Sequence, residues 1–317
     1  NFLRSAMALC DAGVLFGRRL AELARLAGDS EVARNCLAVE TGAKTFPEAV
    51  QLLWIGHIIA CADDGINANS IGRLDQILQP YYEHDLEHGL ITREEAVEWM
   101  IELAIKLYLP YDVQAITLGG VDADGNSALC EMSRIILEST ARFGEIRDLS
   151  VRIPPHAPDD FLEQCAELVL KGGGIPFFFN DDCFIPALAN RGIALEDARN
   201  YAPIGCVELT IPGKANSHAV SGWFSLLRVL ELTLFGGRDP KTGEQILPET
   251  PDLTGIGSWD ELLRLFRRNV EHMASLMVYH CRRGELNQRL FGPLPAFSLL
   301  TPSCIERGRD ITDGGAI

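Results

Sequence analysis

No C-x-x-C pair occurs in this 317-residue chain, although it holds nine cysteines. They are odd in number and scattered from Cys10 to Cys304, which offers neither a zinc knuckle nor a disulfide framework and suits a reducing cytoplasm. Positive charge is also scarce. Lys and Arg number 28 against 44 Asp and Glu, for a net charge of −16, so the basic face that a nucleic-acid backbone demands is missing. No apolar run is long enough to span a membrane. The most apolar stretch, Gln51 to Ala62, is short and carries His57, which reads as a buried helix. Asn1-Phe-Leu-Arg has neither an initiator Met nor a signal-peptide pattern, as expected of a chain that starts inside something longer. Low-complexity linkers and internal repeats are absent as well.

What is present alternates long helices with short apolar runs. Thr92-Arg-Glu-Glu95 is a capping box that opens a helix with Val97, Met100, Ile101 and Ala104 on its apolar face, stopping before Pro110. A second helix follows the turn-rich Gly119 to Asn126, with Leu129, Met132, Ile135 and Ile136 on one side. Leu149-Ser-Val-Arg-Ile153 alternates like a half-buried strand, and Phe161, Leu162, Cys165, Leu168 and Val169 form a helical stripe that makes Cys165 a core thiol. Ile175 to Phe179 reads as a strand running into the polar turn Asn180 to Asp182. The recurrence of strand, loop and helix predicts an α/β fold with a central sheet or barrel, whose functional residues collect on loops at strand ends.

One such loop contains Gly205-Cys-Val-Glu208. Were the segment extended, Cys206 and Glu208 would share a face and meet one ligand. Three readings stay open on the residues alone. Cys206 is a packed thiol beside a surface carboxylate, or a thiolate nucleophile needing a base such as His218, or a thiyl radical site with Glu208 as its proton partner.

The wider motif set resembles the glycyl radical enzymes, in the branch related to pyruvate formate-lyase that holds dehydratases, C–N and C–S lyases and arylacetate decarboxylases. Besides Gly205-Cys-Val-Glu208, the similarity lies in Ile71-Gly-Arg-Leu-Asp-Gln76 with Pro80-Tyr-Tyr82, in Leu118-Gly-Gly-Val-Asp-Ala-Asp-Gly-Asn126 and in Leu149-Ser-Val-Arg152. It continues through Pro176-Phe-Phe-Phe-Asn-Asp181, Leu300 to Gly308 and Gly314-Gly-Ala316. The resemblance implies part of a ten-stranded β/α barrel with surrounding helices, as one piece over residues 1–317. It implies Cys206 as the thiyl site and Glu208 as the acid/base or hydroxyl ligand. The cofactor would be a protein-derived glycyl radical, with no bound metal or organic cofactor. Its partners would be an S-adenosylmethionine-dependent iron–sulfur activating enzyme and a second copy in a homodimer. The family's radical glycine lies in an RVxGY-type segment that this sequence lacks, so the chain alone is expected to be inactive.

For the substrate, the expectation is a small polar hydroxy- or amino-compound undergoing loss of water or amine. Arylacetate decarboxylation is the alternative, as is a non-catalytic relative acting as a binding subunit. The family's diol dehydratases place an acidic residue where Val220 stands here, which speaks against glycerol-type dehydration. Asp64, Asn67, Ser70, Phe178 and His218 are the candidate substrate contacts, although His218 taken alone reads first as a structural histidine. Arg73 with Asp75 reads as a structural pair, and Trp223 and Phe224 as core.

Overall fold

The computed structural model describes residues 2–64, 69–108, 114–144, 148–215 and 222–316, with the backbone alone at residues 63 and 64. Its packing divides into two compact units, Asn1–Ser217 with Leu294–Ile317, and His218–Pro293, where the sequence suggests a single piece.

The larger unit is built around three parallel strands, β1 (Ile116–Gly119), β2 (Leu149–Ile153) and β3 (Phe177–Asn180), in the order β1-β2-β3. A hairpin of β4 (Ala202–Ile204) and β5 (Glu208–Thr210) accompanies them. The α/β class is thus present. The described residues supply five strands, in a sheet of three and a hairpin of two; the ten-stranded barrel of which the resemblance makes this chain a part is not seen among them.

Register separates the sheet into two faces. Ile116 pairs with Leu149 and Leu118 with Val151, while Thr117 pairs with Ser150 on the alternate positions. The first set packs against Leu74 and Leu78 of the Leu74–Glu87 helix, Met132, Ile135 and Ile136 of Glu131–Phe143, and Phe161 and Cys165 of Asp159–Leu170. Each fully buried side chain of this kind contributes about 1.5–3 kcal/mol. The second set, Thr117, Ser150 and Arg152, is equally buried but polar. The helix over Arg93–Tyr108 opens as its capping box predicts, with Thr92 N–H donating to Glu95 Oε2 at 2.7 Å and Glu95 N–H to Thr92 Oγ1 at 3.2 Å.

In the smaller unit, a helix over Leu226–Leu234 and a long one over Trp259–Phe291 bury Val229, Leu232 and Leu247 against Phe224, Phe266, Val270 and Met273. Phe224 is core as expected, but Trp223 is 87% exposed and precedes the helix. The seam forms on the Val229–Leu232 side, leaving Leu226 and Leu227 outward. Among the described residues no single helix is long and apolar enough to cross a membrane.

Candidate active site

Cys206 stands at the exposed tip of the β4–β5 hairpin, in the three-residue turn Gly205-Cys206-Val207 closed by the Ile204–Glu208 pair. A turn this tight needs a residue with positive φ, and Gly205 supplies it at +52°. The segment is therefore bent at Cys206, and the extended geometry that would align it with Glu208 does not hold. Instead the Glu208 carboxylate folds back across the turn. Its Oε2 accepts from Val207 N–H at 3.1 Å and lies 2.6 Å from where a Cβ on Gly205 would sit. Thr210, two residues on along β5, has a buried hydroxyl with no partner among the described residues.

The hairpin is held at three heights. At the turn, Gly205 N–H donates to Ser70 Oγ at 3.0 Å. One step lower, Thr117 Oγ1 of β1 donates to the Pro203 carbonyl at 3.3 Å. At the root, the fully buried Arg152 of β2 donates to the Tyr201 and Arg199 carbonyls, each at 2.8 Å. Arg152 also grips Asp181 bidentately, Nε to Oδ1 at 2.9 Å and Nη2 to Oδ2 at 2.8 Å, and lies 3.9 Å over the Tyr201 ring. The Tyr201 hydroxyl completes the set by donating to Asp181 Oδ1 at 2.8 Å. Burial, then the neighbouring Asp181 charge, push the Tyr201 phenol far up, so it stays neutral and keeps donating. A buried pair this well satisfied rigidifies its surroundings, and here it fixes the strand from which Cys206 projects.

The glycine-rich loop makes room for that pair. A Cβ on Gly120 would fall 2.5 Å from the Arg152 guanidinium. Arg73 and Asp75, expected as a structural pair, act on the same residue next door, from either side of its Cα. Arg73 Nη2 donates to the Gly119 carbonyl at 2.9 Å, and Asp75 Oδ2 accepts Gly119 N–H at 2.6 Å. Burial pushes the Asp75 carboxyl up, against the opposing pull of the Ser133 hydroxyl and Gly119 N–H. Asp122 closes the loop on itself by accepting from the backbone N–H groups of Asp124, Gly125 and Asn126. The loop from Gly119 to Asn126 thus serves the hairpin as scaffolding.

Of the candidate substrate contacts, Ser70 is brought to the Cys206 turn, but as the support for Gly205. Phe178 does not join it. It alternates with its neighbours as predicted and is 50% exposed, yet it shares its face with Val151, opposite the Thr117 face that holds the hairpin. Asn67 and His218 lie outside the described residues, as does the Asp64 side chain, whose backbone ends the Phe46–Asp64 helix. Arg152 and Asp181 were not singled out from sequence. The available signal was a full charge inside the Leu149–Ile153 strand, whose only other polar residue is Ser150.

Residues 1–317 match the family model described as pyruvate formate lyase-like. The trans-4-hydroxy-L-proline dehydratase of Clostridioides difficile is 32% identical over 98% of this chain and 43% of its own length. The glycerol-bound B12-independent glycerol dehydratase from Clostridium butyricum superposes with a TM-score of 0.89 at 34% identity, covering 99% of this chain and 43% of that one. A glycyl radical enzyme from Archaeoglobus fulgidus gives 0.88 at 29% identity, over 96% and 43%. The chain spans less than half the length of these relatives.

Proposed function

The chain belongs to the pyruvate formate lyase-like family of glycyl radical enzymes, and on that premise we propose that it carries the cysteine hairpin of a glycyl radical lyase. The substrate class is a small polar hydroxy- or amino-compound that loses water or amine. The observation that supports this reading is the Cys206 tip itself, set on a rigid, charge-paired root with the Glu208 carboxylate folded across its turn. A glycyl radical, on a glycine outside this chain, would supply the unpaired electron. Cys206 as a thiyl then takes a hydrogen atom from a substrate C–H bond, so that S–H forms and the unpaired electron moves to carbon. Glu208 passes a proton to the departing hydroxyl or amine. Asp64, Asn67 and His218 remain the proposed substrate contacts, while Ser70 is reassigned to positioning the turn. Val220 in place of an acidic residue speaks for a substrate other than a simple diol. The proposed partners are an S-adenosylmethionine-dependent iron–sulfur activating enzyme and a second copy of the protein.

The test uses the intact protein, activated anaerobically and followed by electron paramagnetic resonance. Cys206→Ala should keep the stored glycyl signal yet lose turnover by at least roughly a thousandfold, as expected for removal of a covalent-type catalytic group. Retention of full turnover by that variant sinks the assignment.

A further inference from the structure

A second cysteine constellation lies on the Phe46–Asp64 helix, which places His57 and Cys61 one turn apart on one face. His57 Nε2 is 3.4 Å from Cys61 Sγ and 3.0 Å from Gln114 Nε2. Asn69 Nδ2 donates to the same sulfur at 3.4 Å. The Trp54 ring stacks on the imidazole, with centroids 5.7 Å apart and planes at 27°, and this fixes its orientation. Ile71 N–H donates to the Ala115 carbonyl at 2.9 Å, which keeps the Asn69 segment alongside Gln114. A core thiol needs only apolar neighbours, as Cys165 has in Phe161 and Leu168. Cys61 has a nitrogen base and an amide donor, and it is half-buried rather than sealed.

One further atom separates this cluster from ordinary packing. Gln114 is only 3% exposed, and its Oε1 has no partner among the described residues. An unmade buried hydrogen bond costs about 1–3 kcal/mol. A side-chain amide can turn to exchange its donor for its acceptor. In one orientation Gln114 donates to a bare His57 Nε2; in the other, Oε1 accepts from a protonated one. The unused acceptor is the group an imidazolium would require.

We propose that Cys61 is a second nucleophilic thiol of this chain, activated by His57 and supported by Gln114 and Asn69, and that it takes covalent modification by small soft electrophiles. The Sγ–H bond breaks and its proton moves to His57 Nε2. The thiolate, held by the Asn69 amide, forms an S–C bond as the leaving group departs with its electron pair. His57 then returns the proton to solvent.

Iodoacetamide is the probe, applied to the intact protein at about pH 6.5, some two units below an ordinary thiol, with labelling read site by site by mass spectrometry. Cys61 should react roughly tenfold faster than the exposed Cys183. His57→Gln should lower the Cys61 rate about tenfold and leave Cys183 unchanged. The buried Cys36 and Cys165 report folding, because they label only if the core opens. Should His57→Gln expose them, Asn69→Ala takes its place, with a several-fold loss expected at Cys61. A Cys61 no faster than Cys183, or indifferent to substitution, overturns the proposal. No radical is needed for this measurement, so its outcome is independent of the lyase reading.

Discussion

The two faces of the parallel sheet use alternate residues of the same strands for different ends. On one face Ile116, Leu118, Leu149 and Val151 are buried among helices, where only volume and apolar area matter. On the other, Thr117 and Arg152 are just as buried but make directional hydrogen bonds to the Pro203 carbonyl of the hairpin and the Tyr201 carbonyl at its root, with Arg152 also paired to Asp181. The apolar face makes the unit stable. The polar face decides where Cys206 stands. Substitutions on the first should therefore move stability alone, and on the second both stability and turnover.

The largest effect is expected at Arg152. Arg152→Leu strands the Asp181 carboxylate in the interior and should cost about 3–5 kcal/mol in denaturant unfolding, with part regained when Asp181→Leu is added. A loss under about 1 kcal/mol would mean that the pair does not anchor the root. Next comes Leu118→Ala, at about 3 kcal/mol from the cavity it leaves, with turnover per folded molecule unchanged. If turnover fell there too, the division between faces would not stand. Gly205→Ala forces a side chain into positive φ and onto the Glu208 carboxylate, so we expect about 1–2 kcal/mol of destabilisation and a larger proportional loss of turnover. Wild-type activity in that variant would show that the turn tolerates rearrangement. The smallest effect is at Asp122. Backbone donation, first from Asn126 N–H, holds its carboxyl below the usual range. Its folded value lies beneath the unfolded one of about 3.9, so its contribution is present above that pH and fades as pH falls through the folded value. Asp122→Asn should flatten stability against pH below about 4, as read by thermal melts across an acid series.

Local features were legible in the residues. The capping box at Thr92 and the strand Leu149–Ile153 depend on neighbours in sequence, and both appear where expected, although the strand is buried on both faces where its alternation predicted one. The β4–β5 hairpin was not legible, since three-residue strands reading Ala-Pro-Ile and Glu-Leu-Thr carry no usable alternation. Phe178 shows a subtler limit: period two tells that it opposes Phe177 and Phe179, but only the register with Val151 tells which face that is. Trp223 fails for a different reason, because helix pairing in the smaller unit selects Val229 and Leu232 over the equally apolar Leu226 and Leu227. At the site, Cys206 and Glu208 were identifiable by type, whereas the Ser70 support depends on a contact across 135 residues that no local pattern contains.

That long contact bears on how the protein is made. Ser70 precedes Gly205 by 135 residues, Thr117 precedes Pro203 by 86, and Arg152 precedes Tyr201 by 49. Chains emerge from the ribosome N-terminus first, and closing a long loop costs only slightly more than closing a short one. The hairpin is thus the last of these parts to be synthesised, and it emerges toward a seat whose other members are already there to receive it.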